Sequence, residues 1–334
     1  MKNYLFKKKL LHKLFLISFG LILSISLLIA CEFIVRFLFL NINFQSSQRT
    51  LLKKNVFGTT YGLRPNFTGI SFGSSIVTNN LGFRKNSNPF DPKKPAWLIL
   101  GDSITMGPGV HQDSTFVSLL STRYPELNIL NGGVIGYSTS DYLAVTNYLI
   151  DKIDIQKLTI CYCLNDTYNN FTEIIDNMPG GTLRKYFDPI LTWLRSHSKL
   201  YLVAKNLISD RSKKYFEYDL QPYMEEENVY HSAVDDLIVL ANKAKKRNIQ
   251  FEIVLLPYEY QLRKKESQML LPQTLLSKDL TLSGVTCYDL YPYLSEQTDI
   301  DYKSIYLFAD GIRFSNKGHR MISNFFSDYV INDE

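Results

Sequence analysis

The sequence has few cysteines and few histidines, and each scarcity excludes a class of protein. One of its four cysteines, Cys31, lies inside a long apolar run, and the odd number that remains cannot form a complete disulfide framework. The five histidines show no His-x-His or Asp/His spacing of the kind that holds a catalytic metal. We therefore expect no disulfide-stabilised domain and no metal, and we expect no other cofactor.

The chain also lacks a basic body, although its formal net charge is +5. A cluster of lysines at the N-terminal end accounts for the whole excess, so the rest of the chain carries equal numbers of basic and acidic residues. The members of this cluster are Lys2, Lys7, Lys8, Lys9 and Lys13. A surface that tracks phosphates needs clustered positive charge on the folded body. We therefore expect no nucleic-acid partner.

An uncharged, mostly apolar run of 18 residues follows the lysines, from Leu14 to Cys31. As a helix rising about 1.5 Å per residue, it nearly spans a hydrocarbon core of about 30 Å. Glu32 and Arg36 interrupt the apolar residues beyond it, so the helix is predicted to continue through the far interface. Because basic residues stay in the cytoplasm, the sequence predicts a single-pass anchor in the inner (cytoplasmic) membrane, with everything after about residue 41 exported.

Two other interpretations of this segment stay open. A cleaved signal peptide needs small residues at its cut site, and the apolar run is long for one. Residues 28–31, Leu-Ile-Ala-Cys, resemble a bacterial lipobox, in which Cys31 would carry a lipid tether after cleavage. All three interpretations export the body and differ only in how it is tethered to the membrane.

The length of 334 residues suits one substantial domain with attachments. Residues 1–44 are predicted to be the basic tip and anchor, 45–95 an irregular lead-in with a few strands, and 96–334 an α/β domain with a helical insertion at about 166–228. Short apolar runs predict strands at 96–100, 127–130, 158–164, 251–256 and 286–290. Helical patterns alternate with them, for example at 113–123, 139–152, 193–208, 229–246 and 265–276. This alternation predicts βαβ units, that is, a parallel sheet with helices on both faces.

Three of the predicted strands end in groups that suit acyl transfer. Ser103 follows the first strand in Gly-Asp-Ser, Gly136 lies in the glycine-rich loop after the second, and Asn165 follows the third. Ligands gather at the carboxyl ends of parallel strands, so these groups are expected to converge. A serine nucleophile with backbone N–H and amide donors around it can attack a carbonyl carbon and stabilise the oxyanion that forms.

These motifs resemble the SGNH, or GDSL, hydrolase superfamily in type and in order along the chain. The resemblance implies a three-layer flavodoxin-like fold, with Ser103 as nucleophile and Ser103, Gly136 and Asn165 as the oxyanion hole. Asp310 matches the start of the last block, which in the family runs Asp-x-x-His. Residues 79–84 also resemble a feature of anchored bacterial members.

The chain departs from the family pattern at Arg313, which stands where the catalytic histidine is expected. A guanidinium cannot accept a proton at ordinary pH, because its pKa exceeds about 12. His319 lies on the predicted inward face of the last helix and is the candidate replacement base, with Asp310 orienting it. Alternatively, His319 is a core residue whose nitrogens bond to backbone groups. Arg313 is then a candidate substrate-binding residue, with fixed donors for a carboxylate or sugar oxygens.

The resemblance implies an extracytoplasmic serine-dependent ester hydrolase or O-acyltransferase that acts on a cell-envelope substrate, such as an acylated glycan, through an acyl-Ser103 intermediate. Water and a sugar hydroxyl stay open as the acyl acceptor. The alternative is a catalytically inactive protein of the same fold that binds envelope glycan or acyl chains, as a partner in an envelope assembly. Arg313 favours this alternative.

Overall fold

The structure is a computed structural model that describes residues 2–40, 42–168, 182–224, 228–297 and 300–331. It begins with one long helix, α1 (Lys2–Leu38), of 37 residues. A helix of this length measures about 55 Å, which exceeds the thickness of a hydrocarbon core. No residue of the apolar stretch Lys9–Leu38 belongs to the buried core. The predicted apolar helix is therefore present, and its length and composition suit a membrane span or a signal sequence.

The lead-in forms two antiparallel hairpins. The first pairs β1 (Leu52–Phe57) with β2 (Thr60–Leu63), and the second pairs β3 (Thr68–Ser71) with β4 (Ser74–Val77). Beyond them, Arg84 forms an isolated bridge with Asn131. Phe57 and Phe83 stack at 5.5 Å between ring centroids and belong to the same hydrophobic core as the sheet. The division between lead-in and domain at about residue 95 stays a prediction.

The main sheet has five parallel strands in the order β6-β5-β7-β8-β9. They are β5 (Ala96–Gly101), β6 (Asn128–Gly133), β7 (Ile155–Tyr162), β8 (Gln250–Leu255) and β9 (Thr286–Asp289). Every residue of β5 is buried, as expected for a central strand covered on both faces. Counted within the sheet, the order is 2-1-3-4-5, which is the flavodoxin-like order.

The described helices after α1 alternate with these strands or form the insertion between β7 and β8. They are α2 (Ser103–Met106), α3 (Phe116–Arg123), α4 (Thr139–Leu149), α5 (Thr182–His197), α6 (Lys199–Ile208), α7 (Arg211–Asp219), α8 (Gln221–Met224), α9 (Asn228–Lys246), α10 (Glu259–Lys264), α11 (Leu271–Leu282), α12 (Leu290–Ser295) and α13 (Asn316–Phe325), with a π-helical turn at Phe326–Ile331.

The path of the chain through the sheet explains why helices cover both faces. β5 pairs with both β6 and β7, so the chain leaves β5 in one direction and then crosses back over it. Because crossovers between parallel strands are right-handed, α3 and α4 lie on opposite faces. α13 packs against α3, and α9 packs against α4. The predicted three-layer α/β fold is confirmed.

Some helix boundaries differ from the sequence prediction. The predicted stretch 193–208 is two helices, because Ser198 has extended backbone angles and its side chain caps α6 by accepting from the N–H of Tyr201. The predicted helix at 265–276 begins later, because Lys265 adopts the left-handed conformation that ends α10, and α11 starts with Pro272 in its first turn. Residues 169–181 and 225–227 of the predicted helical insertion lie outside the described residues.

Candidate active site

Ser103 lies at the carboxyl end of β5, where the chain turns directly into the short helix α2. The residue is buried, with only 3% of its surface exposed. Asp102 caps the helix, because its carboxylate accepts a hydrogen bond from the N–H of Ile104 at 2.7 Å. β6 ends against this turn: a Cβ on Gly133 would lie 2.2 Å from the backbone nitrogen of Met106. Two strand ends therefore fix the backbone around Ser103.

The Ser103 hydroxyl lies between an acceptor and a cationic donor. It donates to Oδ2 of Asp102 at 3.3 Å, and it accepts from Nε of Arg313 at 3.2 Å. The hydroxyl proton thus has a carboxylate as its acceptor. The hydroxyl oxygen lies beside a positive charge, which favours any negative charge that develops on that oxygen.

Arg313 is held in place by a buried ion-pair cluster. Nη1 of Arg313 donates to Oδ2 of Asp310 at 3.0 Å, and Nη1 of Arg211 lies 3.4 Å from the same oxygen. Arg211 in turn donates to Oε1 of Gln45 and to the hydroxyl of Tyr215. Burial alone would raise the pKa of Asp310, but the two guanidinium groups outweigh it and hold this pKa below its ordinary value. Asp310 therefore stays ionised and orients Arg313.

Asn165 shares the Asp102 carboxylate with Ser103. Its Nδ2 donates to Oδ2 of Asp102 at 3.2 Å, and its Oδ1 lies 3.2 Å from the hydroxyl of Tyr258. Gly136 lies in the loop after β6, with a φ of 78°. Both residues thus stand at the carboxyl edge of the sheet, as the sequence predicts for the oxyanion hole. Nδ2 of Asn165 carries a second N–H besides the one that donates to Asp102, and this second N–H can donate to a substrate oxygen.

Burial is complete for Asp102, and it raises the pKa of this carboxyl above the ordinary value. The hydrogen bond from Ile104, the charge of Arg313 and the contacts of Asn165 and Ser103 oppose this shift without cancelling it. A carboxylate with a raised pKa is a stronger proton acceptor than an exposed one. Asp102 therefore has the properties of a base in addition to its role as a helix cap.

His319 is fully buried away from these contacts. Its Nδ1 accepts from the N–H of Phe116 at 3.2 Å, and its ring stacks on that of Phe116 at 5.8 Å between centroids. Burial, with a smaller contribution from the charge of Arg84, lowers the pKa of His319 to about 3. Within the described chain no hydrogen bond joins it to Ser103. The core alternative is thus supported for Nδ1 but not for Nε2, which is buried and has no hydrogen-bond partner among the described residues.

Two polar residues around the site, Arg84 and Tyr258, were not among the site residues predicted from the sequence. Arg84, with 1% of its surface exposed, donates to the carbonyls of Met106, Gly107 and Val110, and so fixes the loop after Ser103. The only sequence signal for it is its place in the resembling segment 79–84. Tyr258, just beyond β8, donates to Oδ2 of Asp219 at 2.6 Å, behind Asn165; its position after a strand is the signal that was available.

No family model matches the chain, and no curated protein matches it. Among solved structures it is similar to an alpha/beta hydrolase enzyme from the metagenome of Lake Arreo, with 17% identity over 71% of this chain and 95% of that one and a TM-score of 0.41. It is also similar to a lipase/acylhydrolase from Enterococcus faecalis, with 15% identity over 72% and 96% of the two chains and a TM-score of 0.42. A catalytic mutant of an acetylxylan esterase from Geobacillus stearothermophilus matches with 16% identity over 71% and 94%, at a TM-score of 0.41. Similarity at this level assigns no activity to the chain.

Proposed function

We propose that this chain is a membrane-anchored serine-dependent ester hydrolase or O-acyltransferase of the SGNH type, acting outside the cytoplasm on an ester of the cell envelope. The observation that carries the proposal is the position of Ser103 Oγ, within hydrogen-bond distance of both the Asp102 carboxylate and the Arg313 guanidinium. The lysine cluster at the N-terminal end of α1, ahead of its uncharged stretch, supports the topology.

In this proposal Asp102 replaces the histidine of the family as general base. The hydroxyl proton of Ser103 passes to Oδ2 of Asp102 while Oγ forms a bond to the ester carbonyl carbon, whose oxygen becomes an oxyanion. The tetrahedral adduct then collapses, the bond to the leaving alkoxide breaks, and that alkoxide takes the proton from Asp102. Water or an acceptor hydroxyl removes the acyl group from Ser103 by the same steps in reverse.

The cation and the amide beside Ser103 supply the electrostatic stabilisation. Arg313 carries a full charge whose position Asp310 fixes, so it needs no reorganisation when negative charge develops. Asn165 can donate to the oxyanion through the second N–H of Nδ2, while the first stays bonded to Asp102. The backbone N–H groups of Ser103 and Gly136 complete the proposed set.

Hydrolysis of p-nitrophenyl acetate by the full chain in detergent micelles tests the proposal. Ser103→Ala should lower kcat toward the uncatalysed rate, a loss of up to about a millionfold for the removal of a serine nucleophile. Ser267→Ala is the matched control, because Ser267 is exposed in a different loop, and it should retain the wild-type rate. Equal rates for the wild type and Ser103→Ala would contradict a serine mechanism.

One observation favours a second candidate, a binding protein without catalysis. Arg313 is fixed by Asp310, and nothing in the described ranges accepts from its Nη2, so this nitrogen can donate to a carboxylate or to sugar oxygens. A binding function predicts that Ser103→Ala retains affinity for an acetylated polysaccharide and that Arg313→Gln loses it, with no ester hydrolysis by the wild type. Calorimetric titration of the three proteins distinguishes the candidates.

A further inference from the structure

The C-terminal part of α1 makes a specific contact with the helical insertion. The carboxylate of Glu32 accepts hydrogen bonds from the hydroxyl of Ser198 at 2.8 Å and from the N–H groups of Lys199 and Leu200 at 2.9 Å each. A carboxylate at the first turn of a helix satisfies N–H groups that have no partner within the helix and interacts favourably with its dipole. Glu32 therefore caps α6 from outside.

Basic residues on both partners strengthen the same contact. Arg36 pairs with Glu32 at 2.7 Å and donates to the carbonyl of His197, the last residue of α5. Lys199, the first residue of α6, donates through its ammonium group to the carbonyls of Phe39 and Leu40, just beyond α1. The two interruptions in the apolar run, Glu32 and Arg36, are thus satisfied by the insertion.

The insertion exposes large apolar side chains although it is held by an apolar helix. On α5 and α6, four of those described are more than half exposed, with Trp193 at 58% and Ile208 at 87%. The set consists of Ile190, Trp193, Leu207 and Ile208. Ile190 and Trp193 are three residues apart on α5 and therefore share a face of it. Exposed large apolar side chains on neighbouring helices indicate an interaction surface.

The depth at which Glu32 lies in the membrane indicates that lipid covers this apolar surface. The uncharged run of α1 ends at Cys31, so in the anchored topology Glu32 lies where the hydrocarbon core gives way to the outer headgroup region. Since Glu32 bonds directly to the first turn of α6, the insertion starts at that same level. An apolar helix face at this level contacts lipid, and Trp and Lys are the residues typical of such an interface.

We propose that α5 and α6 lie on the outer surface of the bilayer that α1 crosses, with Trp193 inserted among the lipids. This inference rests on the membrane anchor of the proposed function and adds that the body docks on the membrane. Gln45 links this surface to the site, because its N–H donates to the carbonyl of Arg195 on α5 and its Oε1 accepts from Arg211, the partner of Asp310. A docked insertion holds the candidate active site close to esters carried at the membrane surface.

Tryptophan fluorescence gives a direct test, because the chain has two tryptophans. Trp97 is 1% exposed in β5 and donates to Thr159 at 2.7 Å, so lipid cannot reach it. The full chain is reconstituted into phosphatidylcholine vesicles with and without bromine on the acyl chains. Emission of the wild type should fall in the brominated vesicles, and emission of Trp193→Phe should be equal in both. Glu32→Ala should reduce the quenching, because it removes the cap that holds the first turn of α6 against α1.

Flotation of the same vesicles tests the membrane anchor separately from the docking of the insertion. Protein that floats after a high-salt wash and whose emission is unchanged by brominated lipid would overturn the docked insertion while leaving the anchor in place. Protein that does not float would overturn both. Quenching that persists in Trp193→Phe would also overturn the inference, because the signal would then come from Trp97.

Discussion

Replacing Asp102 with asparagine removes the proposed base while keeping the size of the side chain. The carboxylate accepts from three donors: the N–H of Ile104 at 2.7 Å, Oγ of Ser103 at 3.3 Å and Nδ2 of Asn165 at 3.2 Å. The asparagine oxygen can keep the bond from Ile104, so the helix cap survives. Its NH₂ group then faces the other two donors and cannot accept from either.

The expected loss follows from these contacts. A positioned general base contributes about 10²-fold to 10⁴-fold to a rate, which corresponds to about 2.7 to 5.4 kcal/mol of the activation barrier at about 1.36 kcal/mol for each factor of ten. In the variant, the asparagine NH₂ group and its neighbouring donors are buried without acceptors, which lowers the free energy of unfolding by about 1 to 3 kcal/mol. Asp102→Asn should therefore lose most of its activity and some of its stability.

The pH dependence of kcat/KM for p-nitrophenyl acetate shows whether the activity is lost through removal of the base or through the lower stability of the variant. Only the ionised form of Asp102 can take the proton, and burial raises its pKa above the ordinary value, so the wild-type rate should rise with pH through a midpoint above that of a free aspartate. In Asp102→Asn this rise should disappear. Asp166→Asn is the matched control, because Asp166 is equally buried but bonds to Tyr142 and to the N–H of Cys163. A residual rate in Asp102→Asn with the wild-type midpoint would refute Asp102 as base.

Two further predictions concern the surroundings of the site. Gly133→Ala should lower the free energy of unfolding by about 1 to 3 kcal/mol, because the new Cβ would lie 2.2 Å from the nitrogen of Met106; an unchanged midpoint in urea would contradict this packing. Burial raises the pKa of Asp219 to about 7 from 3.8, so the folded state binds a proton more tightly than the unfolded chain, and the resulting stability is lost as the pH rises from about 4 to about 7. Asp219→Asn should remove this part of the pH dependence of the thermal midpoint, and an identical dependence in the variant would count against it.

That Ser103 and Asn165 lie close together could be predicted from the sequence, because both follow buried parallel strands and the ends of such strands meet at one edge. The parallel sheet with helices on both faces could also be predicted, from the alternation of apolar runs and helical patterns. Local patterns were sufficient for these features, since each depends on a strand or helix that the nearby sequence specifies.

The partners of the charged residues could not be predicted in the same way. Arg211 meets Asp310 from an insertion helix about a hundred positions away, and no local period indicates that contact. For His319 the periodicity of the last helix correctly indicated an inward side chain. It could not indicate that Phe116 rather than Ser103 lies opposite, because that depends on how α13 packs against α3.

The charges around Ser103 explain why arginine is compatible with acyl transfer at this position. Asp102 and Asp310 are both buried acids, and two uncompensated carboxylates near one serine would raise each other's pKa and oppose a negative oxyanion. Arg313 and Arg211 balance them, and Arg313 touches the serine itself. A histidine at 313 would supply a base but would leave the site with one positive charge fewer. In the proposed mechanism, Asp102 therefore accepts the proton, and Arg313 stabilises the negative charge that develops when the proton leaves Ser103.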